Sequence, residues 1–510
     1  MTDSSISRRS FLAASAAGAA AGLLVPATRA AASTSALPAD PFTVGVASGD
    51  VLPGAVVIWT RLTTAPTQPG LGMDGQGPIP VEWRMAATAA DLDDGPLSSG
   101  TALALPEQGW SVHVDVTGLH PDSTYYYRFS TQGWTSPVGR TRTAPTPPTD
   151  RALRFATISC QNLAMPGNGI FYFNGVSDIA ARDDLDFVVH LGDYIYEFGR
   201  PGHIPGRALV SLDDYRRRYG QYKSTDSLRA MHARLPIYAV PDDHEFFDGV
   251  FGGDPDISDA NRQRFDNALQ AYWENMPVRT GPPQFDEASG RLRLTLHRHI
   301  KWGANLDLFL VDDRQYRTLD STILGTEQLA WLTGSLAGSH ATWTAVGSGV
   351  PVAWFPDFAG AADKWTGYDA DRSALTDAFA ARLASRPRRA FNPVVLSGDI
   401  HRGLVTHVRQ RQNDGSPLVA TEFVGPPMTS NSGTDFAAHP DAGAFRVQYA
   451  YESGGALQAY RGYLDCEVTA ASWTTGYVLG NQMDRPDGTV RTFDRWRLAA
   501  DAPVGSVERL

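Results

Sequence analysis

Only two cysteines, Cys160 and Cys466, occur in 510 residues. At most one disulfide can form, so no disulfide framework holds the fold. Past the first 30 residues or so, no apolar run approaches the roughly 20 residues a membrane-crossing helix needs. Positive charge is not in surplus either: 44 Lys and Arg face 55 Asp and Glu, a formal charge of −11. Counterion release on a polyanion needs clustered Lys and Arg, which argues against nucleic acid as the main partner. A small phosphorylated substrate remains open, because a local cationic or metal-lined cleft can oppose the global sign. Ser159 does not lie in a Gly-x-Ser-x-Gly elbow, which weakens a serine-esterase reading.

What is present fits a folded chain, with 42% hydrophobic and 19% charged residues. Its length suggests two domains. Ser7-Arg8-Arg9-Ser10-Phe11-Leu12 sets adjacent arginines before an Ala- and Gly-rich apolar run to Val25, with a cleavage site near Ala30. That is the pattern of a twin-arginine signal peptide, here residues 1–31. It predicts a secreted or cell-envelope protein whose first partner is the twin-arginine export machinery. That route carries folded proteins, often already loaded with metal.

Residues 40–145 read as short strands and turns. Ser111 to Val116 alternates, with Val112, Val114 and Val116 on one face. Ala55 to Leu62 and Val81 to Ala86 are further strands. The segment from Gly118 to Tyr127 is similar to the tyrosine corner of fibronectin type III domains, with Tyr125 as the corner residue. This predicts a fibronectin- or Ig-like β-sandwich. Thr146-Pro147-Pro148-Thr149 reads as a linker. From 151 to 510 strands alternate with helices, the pattern of a layered α/β domain. Helical spacing covers Arg262 to Met276 and Ser373 to Arg386, and Thr326 is the expected N-cap of another helix. The stretch from 410 to 460 is rich in Gly, Pro, Ser and Asn and reads as loops.

Four apolar runs end in residues able to hold metal or phosphate. They lead to Ser159-Cys160-Gln161-Asn162, to Gly192-Asp193-Tyr194-Ile195-Tyr196-Glu197, to Asp242-Asp243-His244-Glu245 and to Ser397-Gly398-Asp399-Ile400-His401. Ligand sites of layered α/β folds lie beyond the carboxyl ends of strands, so the four endings point to one rim. A helical turn would place Asp193 and Tyr196 on one side. An extended segment would point Asp399 and His401 the same way. Asp243 and His244 are adjacent and are expected to diverge. Gly192 and Gly398 stand where the chain must turn tightly.

This ordered set resembles the binuclear metallophosphoesterases, and in its Ser-Cys, Gly-Asp-Tyr-Ile-Tyr-Glu, Asp-Asp-His-Glu and Ser-Gly-Asp-Ile-His variants the PhoD-like alkaline phosphatases and phosphodiesterases. The resemblance extends to Gly45-Val46-Ala47-Ser48-Gly49-Asp50, Ile58-Trp59-Thr60-Arg61-Leu62 and Asp214-Tyr215-Arg216. It implies a four-layer αββα metallophosphoesterase domain over 151–510. It also implies that Cys160, Asp193, Tyr196 and His401 hold ferric iron. Asp193 would bridge to a second site, completed by Asp243 and Asp399, that takes one or two calcium ions. Thiolate, phenolate and carboxylate offset a trivalent charge, and an all-carboxylate set suits a hard ion. A ligand histidine of purple acid phosphatases has no counterpart in Gly347-Ser348-Gly349-Val350-Pro351, so water, backbone or another carboxylate must finish the second site. His244 is expected to contact phosphate or the leaving group.

The implied reaction is hydrolysis of a phosphate ester by metal-activated hydroxide, with Asp193 and His244 as catalytic residues. Diesters such as teichoic acid or phospholipid head groups are the alternative substrates, and an exported binding protein retaining the fold is the non-enzyme alternative. Asp242 is expected to support ligands or shape a turn. Cys466 and His190 are expected in the core, with His190 hydrogen-bonded there. Arg314 either approaches phosphate or is paired. Trp354, Phe355, Phe358 and Trp365 are expected to pack.

Overall fold

The computed structural model describes residues 36–165, 169–287, 289–354, 363–385, 392–412, 415–430 and 460–510. The signal segment 1–31, Phe355, Phe358 and much of the loop-rich stretch 410–460 lie outside the described residues.

Strand Phe187–Leu191 shows how the layers form. Its alternating side chains serve two faces: Phe187, Val189 and Leu191 join one buried cluster, and Val188 joins another. The first cluster lies between two sheets, where Phe187 meets Trp302 with ring centroids 4.7 Å apart and Trp343 meets Trp473 at 6.0 Å. The second cluster sets Val188, Ile237 and Ala239 against Ile179, Leu228 and Met231 of helices. On the far side of the other sheet, Phe309, Val346 and Val395 pack against Leu332, Leu336, Leu375 and Phe379. Helix, sheet, sheet and helix therefore stack in four layers, as expected. Each large apolar side chain buried this way contributes about 1.5–3 kcal/mol.

The first sheet has ten strands, ordered Val507–Arg509, Arg491–Ala499, Ser472–Gly480, Arg461–Val468, Leu153–Ile158, Phe187–Leu191, Ile237–Val240, Val46–Leu52, Ala55–Arg61 and Ser111–Thr117. Leu153–Ile158, Phe187–Leu191 and Ile237–Val240 run parallel as neighbours. The second sheet has six, ordered Arg298–Trp302, Leu306–Leu310, Trp343–Gly347, Val394–Ser397, Leu418–Val424 and Leu404–Arg409. Its middle strands are also parallel.

The N-terminal strands do form two facing layers, with Val56 and Ile58 sharing a core with Val81, Met85, Tyr127 and Phe129. The Tyr125 hydroxyl accepts the His120 backbone N–H at 2.8 Å, the corner bond the sequence suggested. One of these layers is not confined to the N-terminal segment, however. Val46–Leu52 pairs in parallel with Ile237–Val240 at Gly49 and Ile237 and so continues the ten-stranded sheet. A Cβ at Gly49 would stand 2.6 Å from the Ile237 carbonyl oxygen, so only glycine permits this approach.

Helices Asp259–Asn275 and Asp369–Ser385 cover the two periodic stretches. The third helix, Gly325–Gly338, begins before Thr326, which is not its N-cap. Its start is capped from elsewhere: Thr322 Oγ1 accepts Gly325 N–H, and the Asp371 carboxylate accepts the N–H groups of Ile323 and Leu324.

Candidate metal centre

The four motif segments leave the carboxyl ends of neighbouring parallel strands in the two facing sheets and meet there. Sharp turns do the aiming. Cys160, Asp193, Asp399 and His401 have φ of 56°, 57°, 66° and 55°. For non-glycine residues such backbone costs of order 1–3 kcal/mol each, and it persists where the surroundings over-determine it. The expected helical turn after Gly192 and extended segment at 399–401 are therefore absent; left-handed turns replace both. Gly192, at φ 96°, lies so close to the next strand end that a Cβ would fall 2.3 Å from Asp242 Cβ. Gly398 is there for contact rather than for its φ, since a Cβ would meet Ser159 Oγ at 2.6 Å.

Ligand atoms of Cys160, Asp193 and His401 lie within 4.8 Å of one another. The Tyr196 hydroxyl joins them, donating to Asp193 Oδ2 at 3.0 Å and standing 3.0 Å from His401 Nε2. Ser430 Oγ donates to that hydroxyl at 2.6 Å. All four expected residues of the first set are thus brought together. Asp193 Oδ1 is buried and has no hydrogen-bond partner among the described residues. Burial raises the Asp193, Tyr196 and Cys160 pKa values well above normal, and the Asp193 charge adds to the shift of the other two. An unpartnered buried carboxylate oxygen beside a thiol, a phenol and an imidazole is a donor set that a multivalent cation satisfies.

A second group, Asp242, Asp243 and Asp399, is equally tight, and Asp193, Asp243 and His244 form a third that links the two. Asp243 and His244 therefore do not diverge as their adjacency suggested, because the short 3-10 turn Asp243–Glu245 keeps both on the cluster. Asp242 is part of the second group, and its Oδ2 is another buried oxygen without a partner among the described residues. Burial raises Asp242 and lifts Asp399 to about 6. Glu245 ties the motifs together by accepting N–H groups of Asp193, Tyr194 and Asp242 at 3.0, 2.5 and 2.8 Å.

His244 Nδ1 is 2.7 Å from Glu197 Oε2, whose other oxygen accepts Asp248 N–H at 2.9 Å. Tyr196 and Phe198 pack on the imidazole with centroids at 4.1 and 5.4 Å. Burial opposes its charge, but Asp243, Asp193 and Glu197 outweigh burial and raise its pKa well above 6.5.

Arg314 resolves to its paired role. It is fully buried, with Nε on Asp242 and Nη1 2.6 Å from Asp363, while Nη2 has no hydrogen-bond partner among the described residues. Cys466 is in the core between the sheets. His190 is buried too, but among the described residues neither ring nitrogen has a hydrogen-bond partner, and burial lowers its pKa to about 3. Trp365 packs and donates to Ser348 Oγ at 3.0 Å. Sequence reasoning assigned no role to Glu197, Lys364, Asp363 or Ser430. Glu197 stood inside a quoted motif; the other three sit in segments without a signature.

A family model described as the PhoD-like phosphatase matches residues 155–477, and that of its N-terminal domain matches 27–145. The chain belongs to the PhoD-like phosphatase family. It is 32% identical over 494 aligned residues to alkaline phosphatase D of Bacillus subtilis (strain 168), covering 89% of this chain and 80% of that one. A solved structure of PhoD superposes with a TM-score of 0.80 at 30% identity, covering 93% of this chain and 92% of the other. The purple acid phosphatase PPD1 of yellow lupin shares the fold at a TM-score of 0.52 and 13% identity, over 89% and 73% of the two chains. This PhoD-like phosphatase is accordingly a phosphoric ester hydrolase.

Proposed function

We propose that this PhoD-like phosphatase is an exported, metal-dependent hydrolase of small phosphate esters. The observation that carries the reading is the buried, unpartnered Asp193 Oδ1 between the thiol–phenol–imidazole set and the all-carboxylate set. Cys160, Asp193, Tyr196 and His401 would hold ferric iron, and Asp193, Asp242, Asp243 and Asp399 calcium; family resemblance and donor chemistry support this division. Such cations, when bound, supply an activated water and neutralise phosphoryl oxygens.

The chain's own residues do the rest. Glu197 fixes His244 through Nδ1, leaving the Nε2 proton for the ester oxygen of the departing alcohol. Asp193 spans both ligand sets and fixes their separation. Ser430 and Asp193 orient the Tyr196 hydroxyl. Export through the twin-arginine route is supported by Arg8-Arg9 ahead of the apolar run, and puts the enzyme outside the cytoplasm.

Elemental analysis of exported protein, with its visible spectrum, tests the metal assignment. Iron and calcium with a charge-transfer colour are expected. A colourless protein lacking both metals yet hydrolysing p-nitrophenyl phosphate sinks the reading.

A further inference from the structure

Beside the carboxylate group stands a lysine that the reaction outlined above does not use. Lys364 is almost fully buried, and its Nζ lies 3.2 Å from Asp399 Oδ2. Its backbone is anchored at the rim by the next residue, the fully buried Trp365, whose indole N–H bonds Ser348 at the end of strand Trp343–Gly347.

The other buried cations nearby are held by several partners each, although Nη2 of Arg314 and of Arg317 has no hydrogen-bond partner among the described residues. Arg314 is enclosed by Asp242, Asp363 and Asp243, the last at 3.7 Å. Arg317 bonds Asp363 and the Asp313 carbonyl oxygen. Lys364 differs. An ammonium carries three donors, and among the described residues its only ion-pair partner is Asp399. Asp399 is also a member of the tight three-carboxylate group. A divalent cation there would take the carboxylate's lone pairs and repel the ammonium. A buried charge that loses its partner must find another anion or pay heavily in desolvation. The anion that enters this rim is the substrate.

We propose that Lys364 is a substrate-binding residue, whose ammonium grips a non-bridging oxygen of a dianionic phosphate monoester and so favours monoesters over diesters. The inference rests on the metal-site reading above and deepens it by naming the substrate class. A monoester dianion offers one more anionic oxygen than a diester, so a fixed positive charge discriminates between them.

The test compares wild type, Lys364→Met and Lys364→Arg. It measures metal content, calorimetric affinity for inorganic phosphate, and KM on p-nitrophenyl phosphate and its bis-ester. Lys364→Met is expected to keep its metal, and to weaken phosphate affinity and monoester KM by roughly tenfold or more, with bis-ester KM moving less than about threefold. Lys364→Arg should recover most of the loss, since it restores the charge. Equal weakening on both esters, unchanged phosphate affinity, or metal loss in Lys364→Met would overturn the proposal, leaving Lys364 as a counter-charge to Asp399. If active wild-type enzyme contained no metal, the metal reading would fail while the phosphate and ester comparison still decided the lysine.

Discussion

Glu197 and His244 form a buried pair at 2.7 Å, and the carboxylate is held on its far side by the Asp248 backbone. If the pair delivers a proton to the leaving alcohol, its value depends on how badly that alcohol needs one. Glu197→Gln should lower kcat by about 10- to 100-fold on phenyl phosphate and far less on 2,4-dinitrophenyl phosphate. Equal losses on the two esters would show that Glu197 only holds the loop in place.

Asp193 sits in two of the three ligand groups, as Asp243 does, and of the two it alone belongs to the group that holds Cys160 and His401. Asp193→Ala should lose bound metal and turnover together, read by elemental analysis beside an activity assay. Full activity in that variant would remove the bridging role.

Gly192 combines a left-handed φ with a strand-to-strand approach that leaves no room for a methyl group. Gly192→Ala should destabilise by at least about 1–2 kcal/mol and shift Asp242. A thermal melt lowered by several degrees, with reduced metal content, is the expected result; an unchanged melt contradicts the packing argument.

Lys223 is buried under the N-terminal strands, its Nζ 4.5 Å from the Trp59 ring centroid and 5.2 Å from that of Tyr194. Among the described residues that nitrogen has no hydrogen-bond partner. Burial, with a smaller push from Arg61, lowers its pKa from 10.5 to about 7. Between those values the unfolded chain binds a proton that the folded chain does not, so stability should rise with pH across the window and be lowest below about 7. Lys223→Met should flatten that slope and raise the melting temperature at pH 7. Melts from pH 7 to 10 check both; a steeper slope in the variant would contradict the assignment.

The four strand endings were legible because catalytic chemistry writes its residues next to the turns that present them. Cys160, Asp193, Tyr196, Asp243, Asp399 and His401 stood in those endings, and the resemblance of the ordered motifs to a known family singled them out. The way they converge was not legible. Spacing rules assume helix or strand, and the left-handed backbone at Asp193, Asp399 and His401 obeys neither. Asp242 caps the short 3-10 turn, as a turn residue was expected to, and that turn also keeps it in one group with Asp243. Lys364 and Ser430 reach the centre from segments whose local sequence carries no signature, so only tertiary packing reveals them. A layered α/β domain was readable from the alternation of strands with helices, and its four layers from the family resemblance. The sharing of one sheet by the N-terminal strands was not, because a single register pair leaves no periodic trace.

That pair, Gly49 with Ile237, has an engineering consequence. Cutting the chain at the proline linker would strip strand Ile237–Val240 of its neighbour and bare a row of amides and carbonyls. Raw flanks of this kind recruit other copies. The catalytic half is thus not a free-standing module, and a chimera between relatives has to transplant both sides of the seam at once.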